Sequence, residues 1–102
     1  MELQTISELS VNDFMGFREK KFDIKFAEEA ILQGELIECV ESKGYSPLAR
    51  KPFSLVFRTN QKTEYYPQGM MILSHPEKGE ISLFFVPVGF DEVGMKYETV
   101  FA

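Results

Sequence analysis

His75 and Cys39 are the only histidine and the only cysteine of the chain, and they bound the chemistry it could do. An activated nucleophile needs a Ser or Cys beside a firmly held base. His75 stands directly before Pro76, in a stretch that reads as a hairpin turn. The sequence therefore predicts an exposed turn residue, without the fixed support that a catalytic histidine requires. Cys39 lies in the apolar run Leu36–Val40 and is expected to be a buried, inert thiol. One His and one Cys cannot build a standard zinc site within one chain. Asp91-Glu92 before Gly94 is only a fragment of a calcium loop. Glu28-Glu29 and the segment Glu77–Glu80 suit solvated turns, and no phosphate-binding glycine motif is present. The residue types predict a non-catalytic protein, with no catalytic residue, no metal ligand and no cofactor.

Recognition chemistry is better represented. Tyr65, Tyr66 and Gln68 fall in the segment Tyr65–Gly69, where a polar loop ends in a Pro-containing turn. Tyrosine gives large contact area at low entropy cost, so these three residues are the candidate partner-binding site. The competing reading is that one ring packs on the rim of a sheet while the other is merely exposed. Met70-Met71 reads as core filling or as an adaptable contact surface. A second function class, a small-molecule-binding β-barrel or an unrecognised enzyme, would use Arg50, Arg58, Asp91 and Glu98 as its polar groups. A deep pocket with converging polar groups would favour that class.

The whole chain, 102 residues, predicts one domain with a single core. Ten Phe and four Tyr with no Trp point to an interior built on phenylalanine. The net charge is -5 and the pI about 4.9, with basic residues scattered apart from Lys20-Lys21 and Arg50-Lys51. Nucleic-acid binding wants a concentrated basic face, so it is not expected. Anionic membranes would repel such a surface. No apolar run approaches the ~20 residues that span a bilayer. Residues 1–10 lack a basic segment followed by an apolar one, so a signal peptide is not expected. A lone cysteine fits a reducing, cytoplasmic setting.

The elements that must position these groups are mostly strands. Residues 10–15 read as a short helix capped by Ser10, with Asp13 completing a box-like pattern, Leu9 and Phe14 as a staple and Gly16 as the stop. Phe22–Phe26 alternates apolar and charged residues as a half-buried strand does. Residues 27–34 fit either a helix ending at Gly34 or a hairpin turning at Glu28-Glu29, with a return strand from Ile31 to Ser42. The hairpin is preferred, because Leu36–Val40 continues as strand with little room for a separate connection. Ser42–Pro47 reads as a loop. Strands are expected at Phe53–Arg58, Met70–Ser74, Ile81–Val86 and Lys96–Phe101, each bounded by Pro, Gly, Asn, Asp or the chain end. Gly79 can supply a positive φ in the turn before Ile81, and Val88–Gly94 reads as a loop. Phe53, Leu55, Phe57, Leu83 and Phe85 are the expected core, and the two apolar faces of Ile81–Val86 suggest a central strand. Six strands with short connections predict a mainly β fold, a compact six-stranded antiparallel barrel or two-sheet sandwich with one short N-terminal helix, because an open sheet would leave two edges bare.

Read in order, Pro52–Arg58, Pro67–Gly69, His75-Pro76, Gly79-Glu80, Phe85–Gly89, Tyr97-Glu98 and Val100-Phe101 resemble a bacterial family of small domains of unknown function. The Leu9-Ser10 to Asp13-Phe14 pattern is similar too, and the departures fall in residues 27–46. The resemblance implies no activity and no catalytic residues. It implies a genomic association with proteins like phage tail-collar or tail-fibre proteins, and so an accessory or assembly role in a phage-tail-like system. The expected partner is then another protein, such as a tail-collar-like protein. A second copy bound through an edge strand is a further possibility.

Overall fold

Alternating apolar residues force strands to pair, and six pairings close the chain on itself. The computed structural model describes residues 9–41 and 52–101. It contains one helix, α1 (Asn12–Met15), and strands β1 (Lys21–Ala27), β2 (Ala30–Glu41), β3 (Phe53–Arg58), β4 (Gly69–His75), β5 (Gly79–Phe90) and β6 (Met95–Phe101). The strand order is β1-β2-β3-β6-β5-β4, antiparallel throughout, and β1 meets β4 to complete a barrel. Closure, rather than a two-sheet sandwich, is how this chain deals with its edges.

The hairpin reading of residues 27–34 holds: Ala27 pairs with Ala30 across a turn at Glu28-Glu29. Gly34 is not a helix stop but an interior strand residue. A Cβ there would lie 2.6 Å from Ile24 Cδ1 and 3.3 Å from Phe57 Cβ. Glycine thus leaves room over β2 for the Ile24 side chain of β1 and the Phe57 side chain of β3. Both long strands change partner along their length. β2 pairs first with β1 and then with β3, and β5 first with β4 and then with β6. Register shifts within Leu36/Glu38 and Pro87/Gly89 mark bulges that bend them. The expected loop at Val88–Gly94 is therefore shorter: β5 runs through Phe90, because Gly89 at φ 128 continues its pairing with Lys96 past the bulge. Gly79 adopts its expected positive φ, 80°.

The core is a continuous, phenylalanine-rich cluster. Phe53, Leu55, Phe57, Leu83 and Phe85 are all buried in it. Each buried Phe contributes on the order of 1.5–3 kcal/mol. Phe53 and Phe101 stack at 4.2 Å between ring centroids, and Phe14 from α1 closes that end against Phe22, Phe53 and Phe101. The helix start differs from its expected form. Val11 is the cap residue and has no side-chain cap bond, while Asp13 Oδ2 accepts the Ser10 N–H at 2.8 Å. Gly16 ends the helix with an ordinary φ of -72°. Of the two methionines, Met71 is buried and Met70 exposed, since successive strand residues face opposite sides. The outer face of β5 is likewise open, with Phe84 exposed beside its partner Met70, so the two apolar faces of this strand do not mean burial on both.

His75 is a clear departure from expectation. It is 3% exposed, at the end of β4. Phe14, Phe17 and Phe22 surround its ring at centroid distances of 4.9–5.8 Å. Nδ1 accepts the backbone N–H groups of Glu77 and Lys78 at 3.0 and 3.1 Å. That leaves Nε2 as the protonated nitrogen, and it donates to the Asp13 carbonyl at 2.7 Å. The histidine ties the β4–β5 turn to α1, and both ring nitrogens are used in doing so. The expected loop at Ser42–Pro47 lies outside the described residues.

Candidate functional site

The far end of the barrel is built from the segment after β3 and the turn after β5. Thr59 N–H donates to Met95 O at 2.9 Å, which pins the start of that segment to β6. Gln61 Oε1 accepts the Tyr97 hydroxyl at 2.7 Å and lies 2.9 Å from Thr59 Oγ1. The same Tyr97 hydroxyl accepts the Tyr66 backbone N–H at 3.0 Å. Tyr97 is a fully buried β6 residue, and burial pushes its phenol up from the ordinary value against the pull of its hydrogen bonds. A neutral hydroxyl can give one bond and take another, as this one does. The tyrosine segment is therefore anchored from the core outward.

The two tyrosines do different things. Tyr66 is half-buried, and its ring stacks on Phe26 at 4.9 Å with an interplanar angle of 13°. Tyr65 is 54% exposed and meets Phe90 edge-on at 6.0 Å; Phe90 is 43% exposed. Gln68 is exposed in the bend before β4. Gln61, Glu64, Tyr65 and Tyr66 line a small pocket of about 130 Å³. The rim-packing alternative thus describes Tyr66, and the exposed aromatic contact belongs to Tyr65 with Phe90. Phe90 was not foreseen as part of this site, because its sequence neighbours suggested a loop. Its place at the end of a strand register opposite Met95 is what brings it to Tyr65.

Arg58 and Asp91, two of the polar candidates, do meet. Arg58 Nη1 donates to Asp91 Oδ2 at 2.8 Å, and Nη2 donates to Glu35 Oε1 at 3.2 Å. The Asp91 hydrogen bond, followed by that of Glu35, raises the Arg58 pKa. Asp91 Oδ1 also accepts the N–H groups of Val93 and Gly94, at 2.8 and 2.9 Å. The Gly94 N–H first, then the Arg58 guanidinium, holds the Asp91 carboxyl well below the usual carboxylate range. Asp91 thus closes the β5–β6 turn and fastens it to β3. A shallow groove of about 300 Å³ lies beside this cluster, lined in part by Lys21, Gln33, Glu35, Arg58 and Asn60. Arg58 already has two carboxylate partners there, so it has little charge left to offer a ligand. Glu98 lies on a different face, across from Val56 and Val86, in an open depression of about 350 Å³ with Val40 and Val100. Arg50 lies outside the described residues. Of the three described polar candidates, Arg58 and Asp91 meet and Glu98 stands apart from them.

Cys39 is half-buried rather than fully buried, its Sγ 4.0 Å from the Val11 carbonyl. It sits after the β2 bulge, paired with Leu55 of β3. Desolvation still pushes its thiol up, with Arg18 opposing. Among the described residues, no three His, Cys, Asp or Glu groups stand together as a metal site, and no helix is long and apolar enough to cross a membrane. No curated protein and no solved structure matches the chain. The chain belongs to the family described as Domain of unknown function (DUF6916), whose model matches residues 9–101.

Proposed function

We propose that this barrel is a non-catalytic protein-binding domain that recognises its partner through the end carrying Tyr65, Tyr66 and Gln68, with Phe90 beside them. The observation behind the reading is the exposed Tyr65–Phe90 contact, carried on a segment that Tyr66 and Tyr97 hold in place. Aromatic rings ordered before contact lose less entropy on binding, and such rings dominate protein interfaces. The apolar interior is one packed cluster, and the polar candidates are spread over separate faces, which favours surface recognition over a ligand-binding or catalytic barrel. A tail-collar-like protein of a phage-tail-like system is the partner that the family resemblance suggests, with a bacterial cytoplasm as the setting.

Capture of the partner by wild type and by Tyr65→Ser, side by side, tests this. The expected outcome is an unchanged melting temperature and binding weakened by ~2 kcal/mol, as for an interface hot spot. Equal capture by the two proteins would remove Tyr65 from the interface. A binding-inert Tyr66→Ser with a lowered melting temperature would assign Tyr66 to support alone.

A further inference from the structure

The pocket beside Tyr65 has a chemical character of its own. It is lined by Tyr65, Tyr66, Glu64 and the amide-bearing Gln61. The amide oxygen is occupied by Tyr97 and Thr59. Glu64 is not: it is exposed and forms no ion pair among the described residues. The nearest cation in sequence, Lys62, donates to the Val93 carbonyl. Arg58, at the start of the segment, is bound by Asp91 and Glu35. A carboxylate that shares a pocket lining with two tyrosines, on a chain of net charge -5, has no ion-pair partner among the described residues.

We propose that this pocket receives an arginine side chain of the protein partner, so that the binding segment of the partner is basic. The inference rests on the protein-binding reading above and names the chemistry of the partner. A guanidinium plane can stack on a tyrosine ring while its N–H fork meets a carboxylate. The volume of about 130 Å³ suits one such head group rather than a folded ligand. The acidic charge of the chain would steer a basic segment toward it.

Amide chemical shifts of the ¹⁵N-labelled protein provide the test, with the peptide acetyl-Gly-Arg-Gly-Arg-Gly-amide as probe. The expected result is saturable shifts at Gln61, Glu64, Tyr65 and Tyr66 in the millimolar range, on the order of 1 mM for a single contact of this kind. The same peptide with citrulline, a neutral isostere, should leave those amides unmoved. Glu64→Gln, an exposed and isosteric change, should weaken the arginine peptide about fivefold or more. Equal shifts with citrulline, shifts confined to other residues, no shifts up to ~10 mM, or an unchanged affinity for Glu64→Gln would each overturn the proposal. Partner capture separates the two levels. If Tyr65→Ser loses the partner while the arginine peptide fails, the binding end stands and its cationic occupant falls. If the peptide binds and Tyr65→Ser still captures the partner, the pocket stands and the broader interface falls.

Discussion

Gly94 runs so close to Thr59 that a Cβ on it would sit 1.7 Å from the Thr59 carbonyl oxygen and 2.7 Å from its carbonyl carbon. Both obstacles are backbone, in a segment tied to β6 by the Thr59 N–H to Met95 O bond. Gly94→Ala must therefore push two chain segments apart at the base of the binding end. A loss of at least ~3 kcal/mol is expected in chemical denaturation, above the usual cost of overpacking. A loss under ~1 kcal/mol would show that the two segments separate freely.

Phe85 is wholly buried on β5 and meets Phe57 at 5.6 Å. Phe85→Ala should cost ~3–5 kcal/mol, because the rigid barrel wall cannot collapse into the space left behind. Urea titration of the two proteins measures it, and a cost under ~1 kcal/mol would contradict the inward placement of Phe85.

Asp91 makes a pH signature. Its carboxyl titrates lower in the folded chain than the ~3.9 of an unfolded one. The stability it contributes is thus complete above the unfolded value and is lost as pH falls through the depressed folded value. Asp91→Asn keeps an acceptor for Val93 and Gly94 but loses the charge facing Arg58. The denaturation midpoints of wild type and variant should differ by a constant amount from about pH 5 to 8 and begin to converge below about pH 4. A separation that persists unchanged down to about pH 2 would assign the effect to shape instead of charge.

Cys39 should react slowly with thiol reagents in the native state, since desolvation disfavours its thiolate. The half-buried position gives reagent partial access, so the expected native rate lies below that of the unfolded protein but above zero. Labelling followed by mass spectrometry at neutral pH reads it directly. A native rate equal to the unfolded rate would mean that the β2 margin does not shield the thiol.

The sequence by itself determined most of the strands and the inward faces of two of them. Phe53–Arg58 and its inward set Phe53, Leu55 and Phe57 follow from period-two alternation, a local property of a pleated chain. The positive φ of Gly79 was legible because turn chemistry is written in adjacent residues, whereas the β1–β2 hairpin was preferred over a helix only because Leu36–Val40 leaves little room for a separate connection. Tertiary structure decided what depends on chain segments far apart. His75 is buried because α1 brings Phe14, Phe17 and the Asp13 carbonyl around it, some sixty positions earlier in the chain. Gly34 and Gly94 look like turn residues in sequence, yet the first makes room for the Ile24 side chain and the second for a close backbone approach. Tyr65 and Tyr66 are neighbours of one type, and only the stacking of Phe26 under Tyr66 and the arrival of Phe90 at Tyr65 distinguish them. Arg58, Glu35 and Asp91 form one cluster because β2, β3 and the turn after β5 meet there. Alternation assigns a side chain to a face, but barrel closure chooses its neighbours, and in this protein the candidate site is made of those neighbours.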